Sequence, residues 1–265
     1  MADHTCGAPS ADSTERFTSR VDDYVRARPG YPREVVNALV ATVGLRPASV
    51  VADIGAGTGI SSELFLRVGF TVHAVEPNEA MRRAAETRFR GVAGFHSVNG
   101  TAERTTLADR SVDLVFAAQA FHWFDAPSAA TEFRRILRPG GMVALVWNTR
   151  RDDSTPFLRG YEAMLRTFSD DYRAVDHRRI DAAALRSFFG GPFETRRFDN
   201  AQQLDLEGLT RRLLSSSYAP APGHAAHEPM MAELRRLFES HARNGAVTIE
   251  YDTELSVGAL ANPRS

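Results

Sequence analysis

Five short apolar runs mark the first 150 residues: Val50–Ile54, Thr71–Val75, Phe95–Val98, Val112–Ala118 and residues 142–147. Helical patterns separate most of them. One runs from the end of the first glycine-rich turn to Val68 and stops at Gly69; another, rich in Ala and Arg, reaches about Arg88. A third carries Phe133, Ile136 and Leu137 and stops at Arg138-Pro139-Gly140-Gly141, which turns the chain into the fifth run. Continuous apolar runs alternating with helices predict parallel strands buried on both faces by crossover helices. Right-handed crossovers then give an α/β fold with an open, doubly wound sheet. Ahead of the first strand, Val35, Val36, Leu39, Val40 and Val43 predict an amphipathic helix closed by Gly44. A helix-like segment at 16–28 ends where Pro29 and Pro32 forbid its continuation, and residues 1–13 read as a disordered tail.

After Asn148 the period changes. Phe157, Leu158, Tyr161, Met164, Leu165 and Phe168 recur at helical spacing, as do Met230, Met231, Leu234, Leu237, Phe238 and His241; Leu206, Leu209, Leu213 and Leu214 do so less regularly. Val247, Ile249, Tyr251, Thr253, Leu255 and Val257 alternate with polar residues, the period of a strand with one wet face. They predict an antiparallel edge, paired with a strand near 193–203. Residues 217–229 read as a loop. The expected organisation is a single domain over 14–265: a core at about 34–150, with lid and acceptor-side elements at about 14–33 and 151–245.

Composition narrows the chemistry. All 32 cations among the 265 residues are arginine, against 33 acids, for a net charge of −1. Without lysine, neither a Schiff-base enzyme nor a Walker A phosphate loop is possible. The single Cys6 excludes an intrachain disulfide and a cysteine metal site. His224 and His227 form H-x-x-H beside Glu228, but no partner cluster accompanies them, and no metal is expected. The near-neutral charge argues against nucleic acid or an anionic membrane as partner, and paired arginines such as Arg150-Arg151 and Arg211-Arg212 read as solvated faces. The first ten residues lack the regions of a signal peptide and no apolar run could span a bilayer, so a cytoplasmic location is expected.

The first strand runs into Asp53-Ile54-Gly55-Ala56-Gly57-Thr58-Gly59. Such a turn lets backbone lie against a nucleoside and present N–H groups at a helix N-terminus. Glu76, closing the second strand, suits a carboxylate that accepts from both ribose hydroxyls. The spacing is G-x-G-x-G, with Ile60 where a dinucleotide fingerprint would put its third glycine, which favours a nucleoside over a pyrophosphate. Two other readings stay open: a nicotinamide-dependent oxidoreductase, and a non-catalytic partner protein of the same fold.

The blocks VADIGAGTG, AVEPNEAM, GTAERTTLADRSVDLVFAAQAFHWF and LRPGGMVALVWN, in this order, resemble the class I S-adenosylmethionine-dependent methyltransferases. The resemblance is specific over about 17–150 and only architectural beyond. YVRARPGYP and AFHWF look like the small-molecule, type-11, trans-aconitate methyltransferase-like branch. This implies a Rossmann-like seven-stranded sheet with a helical lid, S-adenosylmethionine as cofactor, and a small-molecule acceptor, of a kind found in secondary metabolism. Asp53, Gly55, Ala56 and Gly57 would contact the methionyl part and ribose; Glu76 would hold the ribose diol, with Pro77 or Asn78 beside the adenine. Thr101, Ala102 and Glu103 occupy a block near the adenine amine, where Thr101 departs from the family's acidic residue. Gln119 would lie beside the sulfonium, with Tyr24, Arg28 and Tyr31 folded over the pocket. His122, Trp123 and Asn148 would face the acceptor, with His122 as base; the alternative for His122 is a hydrogen-bonded packing residue.

Overall fold

The computed structural model describes residues 28–169, 172, 182–216 and 218–261. The expected tail, the segment at 16–28 except for Arg28, and Tyr24 lie outside the described residues. In chain order the elements are α1 (Arg33–Val43), β1 (Val50–Ile54), α2 (Ile60–Leu66), β2 (Thr71–Val75), α3 (Glu79–Arg88), β3 (Phe95–Val98) and β4 (Val112–Ala118). A 3-10 turn at Phe121–Trp123 leads to α4 (Ala126–Ile136), β5 (Leu137–Arg150), α5 (Pro156–Phe168) and α6 (Ala182–Phe189). The chain continues through β6 (Phe193–Leu204), α7 (Leu206–Leu214), α8 (His227–His241) and β7 (Val247–Gly258).

Local chemistry sets several boundaries. Gly44 takes the left-handed conformation and returns its N–H to Val40 O, which ends α1. Asn78, Asp125, Thr155 and Asp205 each cap a helix by accepting a backbone N–H in its first turn. α8 begins at His227, earlier than the loop expected to 229, because Pro229 falls in its first turn, where a missing N–H costs nothing.

The seven strands form one sheet in the order β3-β2-β1-β4-β5-β7-β6. The five strands from β3 to β5 are parallel, while β7 pairs antiparallel with both β5 and β6. β7 is therefore internal and β6 is the edge. The polar side of β7 is covered by cross-strand partners: Asp252 meets Arg151, and Glu254 meets Arg197 at 2.7 Å. The same pairing lengthens β5 beyond the expected 142–147, since Trp147–Arg150 are held by Tyr251–Glu254.

One apolar cluster lies on each face of the sheet, centred on Phe133, Ile136 and Leu145 on one side and on Leu39, Phe65 and Phe116 on the other. A third joins α5, α7 and α8 to the adjoining ends of β6 and β7 through Leu158, Leu209, Leu234 and Ile249. The chain passes outward from β1 to β2 and β3, then returns across β1 to β4. The crevice at the carboxyl ends of β1 and β4 is the switch point where such sheets bind ligands.

The last glycine of the turn serves packing. Gly59 has φ +81°, and a Cβ there would sit 2.4 Å from the Phe89 ring. Gly59→Ala is expected to lower stability by about 1–3 kcal/mol in a denaturant titration. An unchanged midpoint would show that the Phe89 contact does not constrain the turn.

Candidate active site

Asp53, at the end of β1, is fully buried. Its Oδ2 accepts from Ser61 and Ser62 of α2, each at 2.7 Å. Its Oδ1 has no hydrogen-bond partner among the described residues, and neither has the buried Oγ1 of Thr58. Burial pushes the Asp53 carboxyl up to about 6, opposed by the two serine hydroxyls. Glu76 is buried beyond the end of β2; its carboxylate accepts from Gly57 N and Asn78 N, both at 2.9 Å. Burial raises this carboxyl also, against those two N–H groups. A carboxylate thus pins the glycine turn from beneath. Gly57 has φ +57°, and a Cβ there would meet only Met81 Sδ, at 3.7 Å, leaving room on its cleft side.

Above this turn opens a cavity of about 360 Å³. Gly55, Ala56, Gly57 and Thr58 form one wall; Gln119, His122 and Trp123 from the β4 end form the next; Arg28 and Tyr31 cover it. Gln119 sits at φ +56°, a conformation unusual for a residue with a side chain. Its N–H reaches Val146 O at 2.9 Å and its Nε2 reaches Asn148 O at 3.1 Å, tying the tip of β4 to β5. The His122 and Trp123 rings lie against each other at 4.7 Å, and Trp123 is exposed. Trp147, Asn148, Thr149 and Arg150 line the β5 side, and Tyr172, Arg212, Tyr218 and Tyr251 close the far end.

Of the residues singled out from the sequence, Arg28, Tyr31, Gly55, Ala56, Gly57, Gln119, His122, Trp123 and Asn148 share this cleft. Asp53 and Glu76 do not line it, but each bonds to a residue that does, Asp53 to Ser61 and Glu76 to Gly57. The Asn148 side chain is spent on the scaffold: Nδ2 donates to Gly30 O at 3.0 Å, and Oδ1 accepts from Thr253 Oγ1 at 2.5 Å. It fastens the covering segment to the sheet. Pro77, Thr101, Ala102 and Glu103 do not line the cavity. Ala102 packs in the core beside Ile54 and Val75, Glu103 accepts from Asp125 N at 2.9 Å, and Thr101 Oγ1 accepts from Arg104 N at 3.2 Å.

Two arginines expected on solvated faces turn into the far end of the cleft, Arg212 buried and Arg150 partly so. Arg150 pairs with Glu162 at 2.5 Å, and Arg212 is 8% exposed. The sequence carried a signal for the second: Leu209, Arg212, Leu213 and Ser216 share one helical stripe, so a charge sits on the buried side. His224 and His227 use their Nδ1 atoms on Ala226 N and Pro220 O. Among the described residues no group of three or more His, Cys, Asp or Glu could hold a metal, and no helix is long and apolar enough to cross a membrane.

Residues 52–145 match the family described as "Methyltransferase domain". An uncharacterized methyltransferase of Mycobacterium tuberculosis is 40% identical over 139 residues, 52% of this chain and 54% of that protein. The chain thus spans about half the length of this relative. A malonyl-[acyl-carrier protein] O-methyltransferase of Methylococcus capsulatus is 33% identical over 213 residues, covering 77% of this chain and 68% of the relative. A structure from Anaeromyxobacter dehalogenans, described as a type II methyltransferase, superposes with a TM-score of 0.59 at 24% identity, over 88% and 98% of the two chains. The chain belongs to the class I S-adenosylmethionine-dependent methyltransferases. Its cofactor is S-adenosylmethionine, which removes the nicotinamide alternative left open by the glycine spacing.

The raised carboxyl of Asp53 has a consequence for stability. A folded-state value of about 6, against an ordinary 3.8, means the folded protein holds this proton more tightly than the unfolded chain. Its contribution to stability is present below pH 3.8 and lost as pH rises through 6. Asp53→Asn is expected to flatten this part of the stability–pH curve, measured by thermal unfolding from pH 4 to 7 without cofactor. An identical slope in the variant would contradict the assignment.

Proposed function

We propose that the protein transfers the methyl group of S-adenosylmethionine to a small-molecule acceptor enclosed in the cleft. The observation that carries this reading is the buried Oδ1 of Asp53, without a partner among the described residues, two positions before a glycine turn that opens on the cavity. Buried polar atoms are almost always satisfied, and an exception beside a cavity points to a ligand that completes it. The relative named a malonyl-[acyl-carrier protein] O-methyltransferase supports a small acceptor group.

When bound, S-adenosylmethionine would supply an activated methyl group to an acceptor lone pair, with S-adenosylhomocysteine as the leaving group. What the chain's own residues contribute is position. Gly55–Gly57 and Asp53 would take the methionyl part and ribose, and the Glu76 lone pairs not used by Gly57 and Asn78 would take the ribose hydroxyls. Gln119, held in register by Val146 and Asn148, sets the boundary between the cofactor and the acceptor. Arg28, Tyr31 and Trp123 exclude water. Alignment of donor and acceptor, with solvent excluded, supplies most of the acceleration such a transfer needs. His122 lines the same wall and takes the acceptor's proton where the acceptor carries one.

Glu76→Ala is expected to weaken S-adenosylhomocysteine binding by about tenfold or more in calorimetry, as charge-assisted hydrogen bonds to the ribose are lost. Unchanged affinity would contradict the ribose assignment. His122→Ala is expected to bind S-adenosylhomocysteine as the wild type does and to lose turnover. Normal turnover with a proton-bearing acceptor would reduce His122 to a packing residue.

A further inference from the structure

The far end of the cleft holds a buried positive charge that has no counter-ion among the described residues. Arg212 projects from the buried stripe of α7 and is 8% exposed, yet it lines the cavity. Its Nε donates to Tyr251 Oη at 3.3 Å and its Nη1 to Ser216 Oγ at 3.1 Å, both neutral acceptors. Tyr251, Tyr218 and Tyr161 surround it, and no carboxylate among the described residues forms an ion pair with it.

The neighbouring arginine is in the opposite state. Arg150 donates to Glu162 Oε2 at 2.5 Å and to Tyr172 Oη at 2.9 Å, with its guanidinium over the Tyr161 ring. Glu162 is already shared, since it also accepts from Arg166 at 2.7 Å and from Tyr172 at 2.6 Å. Glu162 itself does not line the cleft, and Asp152, the acid that does among the described residues, is exposed. Among the described residues Arg212 is therefore a buried charge at this end of the pocket with no carboxylate partner.

Hydroxyl partners return little of what desolvating a guanidinium costs, and an apolar side chain of similar length would serve the fold better. A charge kept under those terms beside an open cavity is compensated when a ligand arrives. We propose that Arg212 anchors a carboxylate of the acceptor, so that the methyl acceptor is a small carboxylic acid bound as its anion. The planar guanidinium matches a carboxylate edge, one uncompensated cation matches one negative charge, and the tyrosines supply flanking hydroxyls and aromatic walls. This inference rests on the reading of the cleft as an acceptor site. It adds the acceptor's charge and the residue that selects it.

The test uses the full chain saturated with S-adenosylhomocysteine, followed by thermal unfolding and calorimetry. The probes are acetate, malonate, succinate, benzoate and inorganic phosphate, each carboxylate set against its amide. Carboxylates are expected to give saturable upward shifts that their amides do not. Arg212→Met is expected to weaken the response about tenfold or more, to keep S-adenosylhomocysteine affinity and to melt no lower than the wild type. Arg212→Lys, which keeps the charge but not the planar fork, is expected to retain part of the response, which separates loss of the anchor from loss of the fold. Amides binding as well as carboxylates, phosphate alone binding, no carboxylate giving a saturable shift, or Arg212→Met responding like the wild type would each overturn the proposal. Failure of S-adenosylhomocysteine to bind would strike the methyltransferase reading instead, and the anion titrations would still be legible without it.

Discussion

Glu76 accepts a backbone N–H from Gly57 on one side and from Asn78 on the other, and by doing so joins the ends of β1 and β2. Much of the site's geometry depends on that bridge. It sets the glycine turn over the floor of the cleft and fixes the entry to α3, whose cap is Asn78 itself. It also keeps a second carboxylate buried near Asp53, so that the repulsion between the two adds to the burial that raises Asp53. Two carboxylates out of water cost stability, and the sheet tolerates them at the one place where its topology opens a crevice.

The opposite side of the cleft is built differently. There the parallel sheet gives way to the antiparallel β5–β7–β6 unit, and the helical layer of α5, α7 and α8 rests on the adjoining end of β6 and β7. Asn148 connects the two regimes, since its side chain holds Gly30 of the covering segment, Thr253 of β7 and Asn200 of β6. One end of the cleft is thus formed by backbone beside buried acids, and the other by arginines, tyrosines and a tethered cover.

The parallel strands were legible because burial on both faces writes them as unbroken apolar runs, with bounds that match for β1 to β4. The ends of β5 were not, since Trp147–Arg150 become strand only through pairing with a segment a hundred residues later. α6 escaped notice because its two most buried residues, Phe188 and Phe189, are adjacent and give no helical period. Around the cleft, the glycine turn and Glu76 stood out by their spacing and their places at strand ends, and Asp53 through the family resemblance. Arg212 was hidden by Arg211 beside it: a pair of arginines reads as a solvated face, and only the leucines at 209 and 213 show that one of the two points inward. Thr101, Ala102 and Glu103, expected near an adenine, do not line the cleft, because their own loop and the core engage them.

The central claim is that the glycine turn, with Asp53 and Glu76 beside it, receives a sulfur nucleoside and not a dinucleotide. Thermal unfolding in parallel titrations of S-adenosylhomocysteine and NAD+ tests it most directly. The account predicts stabilisation by S-adenosylhomocysteine alone, reaching about 2.7 kcal/mol at about 100 times its dissociation constant. A shift with NAD+ and none with S-adenosylhomocysteine would contradict it.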